Sequence, residues 1–127
     1  MRGSIIILCV GVLTTLGTAF TAANAAQMKD FLGVWIPQGD SCSATKDGGE
    51  YQGFTIKKND LECGWGCVCD GFKAKIAGDK LSIAALCTAE EEGKAKITIS
   101  ATFLKPHQIM LGFDDVAPEI YKYCSGN

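Results

Sequence analysis

The chain has 127 residues, of which 12 are basic and 14 acidic, for a net charge of −2 with 47% apolar residues. Arg2 is its only arginine; without guanidinium forks to read guanine or clamp phosphate, and with a mildly acidic balance, the chain is a poor partner for nucleic acid, which we exclude. No basic amphipathic stretch is present to lie on a membrane surface.

The N-terminus has three parts. Arg2 supplies positive charge, Ile5 to Leu16 form an apolar stretch, and Ala23-Asn24-Ala25 puts small residues where a signal peptidase reads. This layout predicts a signal peptide over residues 1–25, cut before Ala26, with a single domain over 26–127. A membrane anchor needs roughly 18 or more predominantly apolar residues, whereas Thr14, Thr15, Thr18, Thr21 and Asn24 interrupt this run. Cys9 lies inside the apolar stretch behind bulky Leu8, the wrong place for lipid attachment, and would leave with the signal. The Ala-rich end is of bacterial type. The expected location is therefore periplasmic or secreted, with no membrane contact after cleavage.

Beyond the cut, one turn of helix is expected around Gln27 to Leu32, followed by the apolar segment ending in Trp35. A polar loop, "QGDSCSATKDGGE", then carries Cys42. Gln52 to Lys57 is a short strand candidate. The segment "LECGWGCVCDG" holds Cys63, Cys67 and Cys69, with Gly64, Gly66 and Gly71 supplying the positive-φ freedom that tight, bridged turns need. In "FKAKI", Phe72, Ala74 and Ile76 alternate with Lys73 and Lys75. In "LSIAALCTA", Leu81, Ile83, Ala85 and Cys87 share one face. In "KAKITISATFL", Ile97, Ile99, Ala101 and Phe103 alternate with Lys96, Thr98, Ser100 and Thr102. This period of two is that of strands with one wet face. Ile109 to Phe113 and Ile120 to Cys124 are further short strands. The connections "AGDK", "EEEGK", "KPHQ" and "DDVAPE" are short, which favours antiparallel neighbours. The expected fold is all-β: a small antiparallel up-and-down barrel or meander of about seven or eight strands, stapled by disulfides.

After removal of the signal, Cys42, Cys63, Cys67, Cys69, Cys87 and Cys124 remain. An even number, a small domain and an oxidising compartment together predict a disulfide framework, and six cysteines allow 15 connectivities. Cys42 with Cys124 is the favoured first pair, because it would tie down a terminus. Cys87 is expected to cross to Cys67 or Cys69, and the remaining pair closes locally with Cys63.

Phe31 to Trp35, "FLGVW", resembles the opening of lipocalins and other calycin-like barrels, in which the Trp plugs one end. The chain is shorter than a lipocalin and lacks the arginine that packs on that Trp. It is more similar to small periplasmic eight-stranded barrels such as the bacterial metalloprotease inhibitors, which combine a signal peptide, an early Gly-x-Trp and a disulfide. The pattern "GVW…C…C…C…YKYC", ending in Tyr121, Tyr123 and Cys124, also resembles other small exported bacterial proteins. The resemblance implies an exported barrel that binds, and no inhibitory residue is carried over from it.

Candidate chemistry is sparse. His107, the only histidine, falls in a turn, and the carboxylates Glu90 to Glu92 and Asp114-Asp115 also fall in turns, where hydration favours exposure. Neither group suggests an active site. Trp65, flanked by glycines on a bridged loop, is the candidate binding residue: a rigid aromatic makes a good contact anchor. Folded onto the barrel, it would instead be a lid. The leading expectation is a non-enzymatic, monomeric, secreted or periplasmic protein that binds an unknown protein or small ligand, with hydrolase inhibition as one form of this. No cofactor is expected. The alternative is a periplasmic metal-handling protein using Cys63, Cys67 and Cys69, whose Cys-x-Cys step suits a soft ion but which lack a fourth ligand.

Overall fold

The computed structural model describes residues 25–89 and 93–125. The expected signal segment up to residue 24, with Cys9, and the carboxylates Glu90 to Glu92 lie outside the described residues.

Eight strands form the fold: β1 (Gly33–Pro37), β2 (Phe54–Ile56), β3 (Leu61–Cys63), β4 (Val68–Ala77), β5 (Lys80–Ala89), β6 (Gly93–Lys105), β7 (Gln108–Phe113) and β8 (Val116–Ser125). Each pairs antiparallel with the next, and β1 pairs with β8, which closes the barrel. The all-β up-and-down barrel expected from the alternating pattern is the observed fold. Closure removes the free edges that would otherwise invite association. Two short 3-10 turns, Met28–Asp30 and Cys42–Thr45, complete the described secondary structure. Among the described residues no helix is long and apolar enough to cross a membrane.

The alternation sets the interior. Leu81, Ile83, Ala85 and Cys87 of β5, and Ile99 and Ala101 of β6, point inward and are buried. They meet Trp35, Phe54, Ile109, Leu111 and Tyr121 from the other strands. Each fully buried large apolar side chain contributes about 1.5–3 kcal/mol relative to exposure. The Trp35 Nε1–H donates to the Phe31 carbonyl at 2.8 Å. Phe54, the ladder partner of Trp35, packs with Trp65 and Phe113 in a second aromatic group.

Three local features depart from the sequence-based expectation. The stretch "DDVAPE" is not all connection. Only Asp114 and Asp115 turn, with Asp114 at φ 47°, and β8 begins at Val116. A residue in the left-handed region makes so tight a hairpin possible, and Asp tolerates it better than most. Pro118 is accommodated because the β1 ladder reaches β8 only from Tyr121 onward, so Pro118 lies where β8 pairs with β7 alone.

The second departure is at β4, which starts at Val68 rather than Phe72. Its register shifts between Asp70 and Lys73, and Gly71 sits there at φ 60°. This bulge reverses the parity of the strand. Cys69 faces inward on one side of it, and Phe72 and Ile76 are partly buried on the other. An unbulged strand would send Cys69 to solvent. The third departure is β3, only three residues long and too short to show a period.

Gly53 leads into β2 at φ 149°, and a Cβ there would collide with the Trp35 carbonyl oxygen of β1. Glycine is therefore required for β1 and β2 to approach as closely as they do.

Tyr121, buried between β1 and β7, has its phenol pushed up to about 12, first by burial and then by the charges of Glu119 and Asp40. The folded state thus favours the neutral phenol. Its contribution is fully present below the ordinary value of 10.0 and is lost as pH rises toward 12. We expect urea midpoints to fall over that alkaline window, and Tyr121→Phe to remove this part of the fall. A parallel fall in both proteins would show that Tyr121 is not its source.

Candidate functional site

Three disulfides join Cys42 to Cys124, Cys63 to Cys67 and Cys69 to Cys87. Cys42 to Cys124 is the pair favoured from the sequence, and it spans 82 residues with its Cα atoms 5.4 Å apart. It fastens the 3-10 turn Cys42–Thr45 to the end of β8. For Cys87 the sequence left two partners open. The structure selects Cys69, which lies directly opposite it in the β4–β5 ladder. Cys63 and Cys67 close the β3–β4 turn.

These last two bridges converge. The sulfurs of Cys63, Cys67, Cys69 and Cys87 all lie within 4.8 Å of one another, and all four residues are buried. Between the bridges, Cys67 Sγ lies 3.6 Å from Cys69 Sγ. The sequence-based set of three cysteines therefore lacks one member of the cluster. Cys87 lies 18 residues beyond Cys69, and only the ladder register brings it in.

Trp65 is partly buried between Cys63 and Cys67. Its ring meets Phe54 edge to face at 5.2 Å and lies tilted against Phe113 at 6.1 Å. It covers the core beside the sulfurs.

On the outer surface, a trough of about 590 Å³ runs across β4 to β8. Its floor follows the register. Lys75 pairs with Ser82, Ser82 with Ser100, and Ser100 with Gly112; beside this row Lys73 pairs with Ala84, and Ala84 with Thr98. Small side chains on the central strands leave the surface low, while Lys73 and Lys75 rise on one side and Val116 and Pro118 on the other. Asp114 fixes one end: its Oδ1 accepts from the Thr98 amide at 3.0 Å and from the Thr98 hydroxyl at 3.3 Å.

His107 lies in the β6–β7 turn at φ 67° and stacks on Tyr123 with ring centroids 4.8 Å apart. Asp114 and Asp115 are in the β7–β8 turn, at the opposite end of β7. The fold does not bring the histidine and these carboxylates together.

Comparison of the chain with protein-family models, with curated proteins and with solved structures returned no match.

Proposed function

We propose that this protein is a non-enzymatic, exported binding protein that recognises an extended segment of a partner protein in the trough across β4 to β8. One observation carries this reading: the barrel interior is filled by its own side chains, and a concavity of about 590 Å³ lies on the outside. A barrel that carries a small ligand in its lumen needs smaller or fewer inward residues. Here Trp35, Phe54, Leu81 and Tyr121 occupy that space.

The trough suits a strand or loop. Its floor offers the Ser82, Ser100 and Thr98 hydroxyls, Lys73 and Lys75 favour an acidic flank on the partner, and Val116 is an exposed apolar contact. Inhibition of a hydrolase is one form such binding takes. Three disulfides suit an oxidising compartment, which supports export to the periplasm or beyond.

Ser100→Trp fills the trough floor from the solvent side and leaves the core alone. Immobilised wild-type protein should retain a partner from periplasmic or culture extract, and the retained protein should be lost from the Ser100→Trp column. Retention of nothing by the wild type, or equal retention by both columns, would overturn the proposal. A small molecule displaced by the tryptophan in place of a protein would reassign the trough to ligand binding.

A further inference from the structure

We infer that Cys63, Cys67, Cys69 and Cys87, once reduced, form a four-thiolate site for a thiophilic d¹⁰ cation, with Zn²⁺ as the reference ion. This site is at one end of the barrel and is independent of the trough.

The inference rests on how the sulfurs are arranged. Tetrahedral zinc with Zn–S bonds of about 2.3 Å requires its ligands about 3.8 Å apart. All four sulfurs here already lie within 4.8 Å of one another, and Cys67 and Cys69 are 3.6 Å apart. The two bonded pairs must separate by about 2 Å and the wider pairs close by at most about 1 Å, shifts that side-chain rotation supplies. Two bridges acting only as staples have no need to converge. They converge here because the bulge at Gly71 turns Cys69 inward, and because Cys69 is held opposite Cys87. Burial of all four sulfurs and the cover of Trp65 give a closed site of the structural type, with no open position for water.

The chemistry balances with a dithiol as reductant. Two dithiol molecules each become a cyclic disulfide, and they deliver the four electrons and four protons that break the Cys63–Cys67 and Cys69–Cys87 bonds. Zn²⁺ then displaces four thiol protons and keeps its oxidation state. The oxidised protein has no thiolate at this place, so the site is switched by redox state.

The test uses the whole exported protein, reduced by a dithiol and freed of excess reductant without air. Zinc is added at one equivalent, thiols are alkylated, and the labelled positions are mapped by mass spectrometry. The expected result is one bound zinc per chain, with Cys42 and Cys124 labelled and the four clustered cysteines protected. Oxidised protein should bind none. Labelling of Cys87 together with protection of the other three would overturn the four-thiolate site, as would equal labelling of all six. Cys87→Ser, whose folding is checked by circular dichroism, should hold zinc against a chelator at least about tenfold more weakly. If that variant fails to fold, the wild-type map alone decides.

Discussion

Cys42→Ala/Cys124→Ala should unfold with about 4–5 kcal/mol less free energy than the parent, the largest loss expected from removing any one of the three bridges. The reason is loop size. The bridge spans 82 residues, and closing so long a loop removes much of the unfolded chain's freedom. The same argument gives about 2 kcal/mol for the Cys63–Cys67 bridge, which encloses a separation of only 4. For a domain of this size, the larger loss corresponds to a fall in Tm of about 20–30 °C. Urea denaturation of the two double variants, side by side, checks the ranking. A loss below about 2 kcal/mol for Cys42→Ala/Cys124→Ala would mean that the unfolded chain is already compact where the bridge acts.

The need for such staples follows from the fold. A small domain buries a modest share of its surface, so its core alone leaves a narrow margin over conformational entropy. The strands most exposed to this shortage are β2 and β3, with three residues each. They are held in the barrel by their neighbours, by Gly53 at the Trp35 carbonyl, and by the Cys63–Cys67 bridge. The long β5–β6 hairpin pairs ten residues of β5, from Lys80 to Ala89, and is held mainly by its own ladder.

The legibility of these features in the sequence follows their length. Leu81 to Cys87 and Ile97 to Phe103 alternate for long enough that face and strand are plain. The pairing of Cys42 with Cys124 was readable because one cysteine lies in a polar loop and the other near a terminus. The choice between Cys67 and Cys69 for Cys87 was not readable, since it depends on register, and register here depends on one glycine bulge. The fourth sulfur of the cluster was hidden for the same reason. The trough was hidden for another. Ser82, Ala84, Thr98, Ser100 and Gly112 are each an unremarkable outer-face residue, and only their alignment across adjacent strands makes a low floor. The burial of Trp35, only 1% exposed, was readable from its place in the short apolar segment "FLGVW".

Trp35→Ala should cost about 3–5 kcal/mol, the range for removing a large buried aromatic. The ring is lost from beside Tyr123, which it meets edge to face at 5.6 Å, and the Phe31 carbonyl loses its 2.8 Å donor. Trp35→Phe separates these contributions. It keeps most of the apolar volume and removes the N–H, so its cost should fall to about 1–3 kcal/mol, that of leaving a buried carbonyl unpaired. The two residues also report on how the long bridge works. Trp35 pairs with Tyr123 across the β1–β8 closure, immediately beside Cys124. If the bridge acts by restricting the unfolded chain, Trp35→Phe and Cys42→Ala/Cys124→Ala should add to within about 0.5 kcal/mol despite this proximity. A coupling above about 1 kcal/mol, measured by urea denaturation of the full cycle, would show that the bridge works by clamping the folded closure. The chain-entropy ranking given above would then lose its basis.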